Sequence, residues 1–156
     1  MTLEQILNNI NNEILLWKGD KPCKFTLYTK EYIFEKITYV GNVDVFKWLE
    51  KINYKLQYTD NIIDFASKKG NINILKWFSE SKYDYNYTTY AIDWAAKYDH
   101  SEILDWFFES KYEFKYTHNA INWAAEKGHI KVLEWFRHKA DSGIEFKYSH
   151  NALNWG

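Results

Sequence analysis

A nine-residue segment returns along this chain at a fixed interval, and that recurrence limits the fold more than any other feature. Gly41-Asn42-Val43-Asp44-Val45-Phe46-Lys47-Trp48-Leu49 comes back as Gly70 to Phe78, as Asp99 to Phe107 and as Gly128 to Phe136, so the starts at 41, 70, 99 and 128 stand 29 residues apart. A second segment keeps the same interval, from Tyr58 to Ala66, Tyr87 to Ala95 and Tyr116 to Ala124. Its last copy, Tyr148 to Trp155, follows after 32 residues, which puts three added residues near Ala140-Asp141-Ser142-Gly143 and predicts a longer hinge there.

Each unit reads as two short helices joined by a tight turn. Thr88 and Thr117 offer side-chain oxygens to the unpaired amides at the start of the first helix. The pairs Ala95-Ala96 and Ala124-Ala125 permit close approach, and the glycine after them can adopt a left-handed backbone. In the second helix Ile130, Leu133 and Phe136 recur at spacing three, widened by Val132 and Trp135, as a mostly buried helix requires. Such helices fall below the roughly 12 residues at which an isolated helix becomes even marginal, so neighbouring units must stabilise one another. Between units, Tyr54 to Tyr58, Tyr83 to Tyr87 and Tyr112 to Tyr116 alternate aromatic with polar residues, the period of extended backbone.

The ends depart from this pattern. Thr2-Leu3-Glu4-Gln5 has the form of a capping box, and Leu3, Ile6, Leu7, Ile10 and Ile14 share one helical face, so residues 1–24 are expected to form a capping helix and a loop broken at Pro22. Residues 25–156 then hold about four repeats, the first degenerate between Tyr28 and Val40 and the last truncated.

With 46% hydrophobic and 26% charged residues, the 156-residue chain has the balance of a folded globular protein, and its 8 Trp, 13 Tyr and 10 Phe make rings the main packing material. Lys+Arg 20 and Asp+Glu 21 are interleaved to a net charge of −1, without the basic stripe that displaces counterions from nucleic acid. No stretch approaches the roughly 20 apolar residues of a membrane span. Glu4 and Asn8 do not fit a signal peptide, and Cys23, the sole cysteine, allows no internal disulfide. The expectation is a cytoplasmic protein without nucleic-acid or membrane partners.

Trp123-Ala124-Ala125-Glu126-Lys127-Gly128-His129-Ile130-Lys131-Val132-Leu133-Glu134-Trp135-Phe136 resembles the ankyrin repeat and its pattern A-A-x-x-G-H-x-x-V-V-x-L-L. The resemblance runs from about Tyr28 to the end and implies an all-α, ankyrin-like helix-turn-helix solenoid. Departures are specific: the family period is about 33 residues, the T-P-L-H start is missing, and Asn119-Ala120-Ile121-Asn122 stands in its place. The protruding fingers are therefore expected to be short. Short repeats rich in Trp and Tyr look like the divergent ankyrin-like repeats of large DNA viruses, which would make the setting a host cytoplasm and the partner a host protein.

The resemblance implies a non-catalytic module that binds a partner protein through the concave groove, which the first helices line. Trp94 and Trp123 are the leading anchors, with Tyr90, Asp93, Lys97, Asn119 and Glu126 as polar neighbours. The column Phe65, Trp94, Trp123 and Trp155 is open to two interpretations, packing between repeats or an exposed contact row. Trp48, Trp77, Trp106 and Trp135 on the second helix are expected to be buried.

No metal or cofactor is expected. Equivalent histidines such as His100 and His129 would lie about 10 Å apart in a helix stack, too far to share a zinc ion at about 2.1 Å. The column Asp64, Asp93, Asn122 and Asn154 reads as a hydrogen-bond ladder, because it turns to Asn and no base, nucleophile or glycine-rich phosphate loop accompanies it. A sugar-acting enzyme is the weakest alternative for the same reason. The other alternative is a structural fragment of a longer array, monomeric or weakly self-associating through the C-terminal end, since Asn154-Trp155-Gly156 stops where the family continues with a second helix.

Overall fold

The computed structural model describes residues 38, 41, 43–51, 61–83 and 85–147, and these residues form seven helices and no strand. The expected capping helix, Cys23, the first half-repeat apart from Thr38, the final copy with Asn154 and Trp155, and the side chain of Trp48 lie outside the described residues. The helices are α1 (Val43–Lys51), α2 (Asn61–Lys69), α3 (Ile72–Glu80), α4 (Tyr90–Lys97), α5 (Ser101–Glu109), α6 (Asn119–Lys127) and α7 (Ile130–Asp141). They form two layers. First helices α2, α4 and α6 pack side by side, second helices α1, α3, α5 and α7 pack in a parallel row, and each first helix also packs on the second helix of its own repeat.

Small side chains set the first layer. Ala66, Ala95 and Ala124 occupy one column, Ala91 and Ala120 with Ile62 a second, and all are buried. With nothing larger than a methyl at most of these positions, backbones approach closely and few contacts are lost to voids. The second layer is filled by larger residues in equally regular columns: Ile74, Ile103 and Val132; Phe46, Leu75 and Leu104; Phe78, Phe107 and Phe136. On α7 the buried face is centred on Val132, Trp135 and Phe136, whereas Ile130 is 61% exposed. The expected stripe that began at Ile130 is corrected by helix geometry: at about 100° per residue, Ile130 points opposite Val132.

The turn between paired helices repeats to the level of single bonds. Asn71, His100 and His129 donate their backbone N–H to Ala66, Ala95 and Ala124 at 2.9 Å each, while Gly70, Asp99 and Gly128 donate to carbonyls three residues back. This pair of bonds is a Schellman cap, which needs a left-handed residue at its centre. The residues there have φ of +72° at Gly70, +65° at Asp99 and +69° at Gly128. Asp99 is the only non-glycine with positive φ among the described residues, and Asp tolerates that region better than most side chains.

The three additional residues lengthen a helix instead of a hinge. Helices α3 and α5 have 9 residues each, whereas α7 has 12 and then closes through Ser142 and Gly143. A helical extension keeps the backbone bonds of the added residues satisfied within the segment.

Rings from the inter-repeat segments complete the core. Tyr83 and Tyr112 lie on Trp77 and Trp106, at 5.9 and 5.8 Å between centroids, and Tyr87 lies on Phe107 at 5.1 Å. Burial of the second-helix tryptophans is graded: Trp135 is 8% exposed, but Trp77 and Trp106 are only half-buried. The Trp135 indole N–H donates to Asp105 at 2.6 Å, whereas the residue equivalent to Asp105 one repeat earlier is Lys76, which offers no acceptor.

Tyr85 stacks on Tyr112 at 4.1 Å, yet its hydroxyl is buried without a hydrogen-bond partner, and burial raises its pKa. Phe114 holds the same position one repeat later. Tyr85→Phe is therefore expected to stabilise the fold by about 1 kcal/mol, the penalty of an unpaired buried hydroxyl. Urea unfolding checks this, since a lower midpoint would mean that the hydroxyl has a partner.

Candidate interaction surface

Two sets of polar bonds hold each first helix against the next and thereby orient its outer face. At the start of α4, the Thr88 backbone N–H and hydroxyl donate to the two carboxylate oxygens of Asp64 on α2, at 3.0 and 2.6 Å. One repeat later Thr117 does the same to Asp93 on α4, at 2.8 and 2.6 Å. The hydroxyls also accept, from the N–H of Tyr90 and of Asn119, both at 3.1 Å. Each threonine thus sits one residue before the helical N-cap, Thr89 or His118, and joins the helix start to the preceding repeat.

At the other end of the helices, the side chain after each turn reaches back by about one repeat. His100 Nε2 lies 3.0 Å from the Lys68 carbonyl and His129 Nε2 lies 2.8 Å from the Lys97 carbonyl, while the Asn71 amide reaches the Thr38 carbonyl. A carbonyl cannot donate, so Nε2 is the donor in both contacts. These bonds satisfy carbonyls that a helix C-terminus leaves unpaired. The histidines are accordingly engaged in structure, and no group of three or more His, Cys, Asp or Glu side chains converges among the described residues.

Asp93 is 1% exposed, and both its oxygens are bound by Thr117. Burial raises its pKa, opposed by the two threonine bonds. Its expected place at a contact surface is corrected by this geometry: Asp93 belongs to the ladder read from the sequence, which Asp64 and Asp93 form here.

The outer face of the first helices is aromatic and cationic. Along α4 and its C-cap, Tyr90, Trp94 and Tyr98 recur at spacing four and so share one side. Tyr90 stacks on Trp94 at 4.7 Å, and these two flanking tyrosines are 47% and 41% exposed. Trp94 is half-buried, 5.8 Å from Phe65 in the previous repeat, and Trp123 is half-buried as well. The ring ladder therefore both packs and faces outward.

Lysines lie over the rings. Lys68 Nζ is 5.1 Å from the Trp94 centroid, 5.6 Å from Tyr98 and 5.8 Å from Phe65, and Lys97 Nζ is 4.5 Å from Trp123 and 5.9 Å from Tyr98. Contacts of this kind contribute about 0.5–1 kcal/mol when exposed. Asn119 is half-buried and Glu126 exposed on α6. The structure thus brings Tyr90, Trp94, Lys97 and Trp123 together and adds Tyr98 and Lys68. Their signal in the sequence was the spacing of four from Tyr90 and the repeat column Lys68, Lys97, Glu126.

A family model described as ankyrin repeats (3 copies) matches residues 63–149, more than half of the 156-residue chain. No curated protein and no solved structure matches it.

The Asp93 clamp has a direct test. Asp93→Ala strips two donors of their acceptor and should destabilise the fold by about 2 kcal/mol, whereas Asp93→Asn, the residue of that column at Asn122, should cost less than about 1 kcal/mol. Equal losses in urea unfolding would show that Thr117 gains nothing from the acceptor.

Proposed function

The chain belongs to the ankyrin-repeat family, and from that premise we propose that it binds a partner protein through the groove lined by its first helices. Ankyrin repeats are generally protein–protein interaction modules, and proteins built from them are typically non-enzymatic. No helix among the described residues is long and apolar enough to cross a membrane.

The observation that carries the proposal is the exposed pair Tyr90 and Tyr98 on either side of Trp94. Two of the three exposed large hydrophobic residues among those described lie on this one helical face. Rigid amphipathic rings, already held in place by stacking, lose little conformational freedom when a partner covers them. Lys97, lying over Trp123, links this face to Asn119, Trp123 and Glu126 on α6, which extend the contact onto the next repeat. The described inter-repeat residues, 85–88 and 113–117, form no strand, which favours the helical face over finger tips as the contact.

The test is affinity capture from cell lysate with the full chain, with Trp94→Ala plus Trp123→Ala, and with Tyr90→Ala. Specific partners should be retained by the parent chain and lost or weakened at least tenfold with the variants, a change of about 1.4 kcal/mol or more. The exposed Tyr90 leaves the core intact, so its variant separates lost contact from lost folding. Recovery of the same proteins by all three chains would refute the groove assignment.

A further inference from the structure

The charge on this face is uneven in a way that the whole-chain balance hides. The first helices contribute Asp64 and Asp93, but both are buried with their carboxylates turned to threonines of the next repeat. What remains at the surface of these helices is Lys68, Lys69, Lys97 and Lys127 against Glu126, with Asp99 at the adjoining turn. Among the described residues no carboxylate pairs with Lys68 or Lys97, whose ammonium groups rest on ring faces instead. A ring face attracts a cation without neutralising it, so each ammonium keeps its remaining donors for an anion.

Resting on the groove reading above, we infer that the occupant of this face is an acidic segment of a partner protein, with an apolar side chain set between Tyr90 and Tyr98. Spacing supports the assignment. Lys68 and Lys97 hold equivalent positions in adjacent repeats, so their stems start about 10 Å apart at usual helix spacing. Carboxylates two residues apart lie on one face of an extended segment, about 7 Å from each other, a separation that two long, flexible lysine stems can meet. The lysines at the surface of these helices outnumber the acids there, and the lysine-capped rings supply an apolar floor between them. Two long-range consequences follow: association is accelerated by opposite charge, and it weakens as salt screens the lysines.

The probe is a library of short random peptides displayed on phage and selected against the immobilised full chain. Selected peptides should be richer in Asp and Glu than the input. Their binding should fall about tenfold with Lys68→Gln plus Lys97→Gln and return with Lys68→Arg plus Lys97→Arg, while the helical circular dichroism of both variants matches the parent.

Selected peptides without an acidic excess, or with binding indifferent to the Gln variants, would overturn the acidic-segment inference. If such peptides still depend on Tyr90 and Trp94, the groove reading survives that failure. Selected binding that ignores Tyr90 and Trp94 refutes the groove itself. A single-stranded oligonucleotide that binds through Lys68 and Lys97 where peptides do not would also overturn the inference, since the occupant would then be nucleic acid.

Discussion

Everything in this fold depends on side-by-side packing of first helices that are too short to persist alone. Their contact is made from methyl groups, at Ala66, Ala95 and Ala124, and close backbones are the result. Close packing needs a fixed register, which the Thr88–Asp64 and Thr117–Asp93 bonds supply at one end and the reach of His100 and His129 to neighbouring carbonyls supplies at the other. With both ends clamped, the helices cannot slide or rotate, and the outward side chains take fixed positions. Apolar burial provides most of the stability and the polar bonds choose the register.

Regular columns and irregular ones divide the work. Positions that repeat in kind, such as Ile74, Ile103 and Val132 or the left-handed turn residues, build the stack. Other positions change between repeats, Tyr90 standing between Asn61 and Asn119, Tyr98 between Lys69 and Lys127, and Glu126 after Lys68 and Lys97, and of these Lys69, Tyr90, Tyr98, Glu126 and Lys127 are exposed. Stacking constrains the first set, because each member meets its equivalents in adjacent repeats, and leaves the second free to vary. The central repeat is therefore distinguished mainly by its surface, while its core columns hold side chains similar to those of its neighbours.

Much of this was legible in the sequence because periodicity reports burial. Interval, helix pairs, left-handed turn and reliance on rings all reappear, and the Asp64 and Asp93 ladder was visible as a column. Side-chain direction was harder to read. Asp93 carries a charge and sits beside Trp94, so it reads as surface until its two bonds to Thr117, 24 residues away, are seen. Ile130 is apolar at a recurring position and reads as core, although helical rotation turns it outward. The added residues near Ala140 look like hinge, yet Lys139-Ala140-Asp141 continue α7 because nothing there breaks a helix before Gly143. Tyr98 gives no repeat signal in the sequence, because it follows the last residue of α4 and belongs to no aromatic column.

The claim that neighbours complete one another is tested most directly by adding a neighbour. A second copy of residues 90–118 inserted in register after His118 supplies one more helix pair with both clamps intact, and urea unfolding compares it with the parent. If stability resides in the contacts between repeats, the longer chain unfolds at a higher midpoint and with a steeper dependence on urea. An unchanged or lower midpoint, with the helical signal of the inserted residues missing, would mean that the repeats do not stabilise one another.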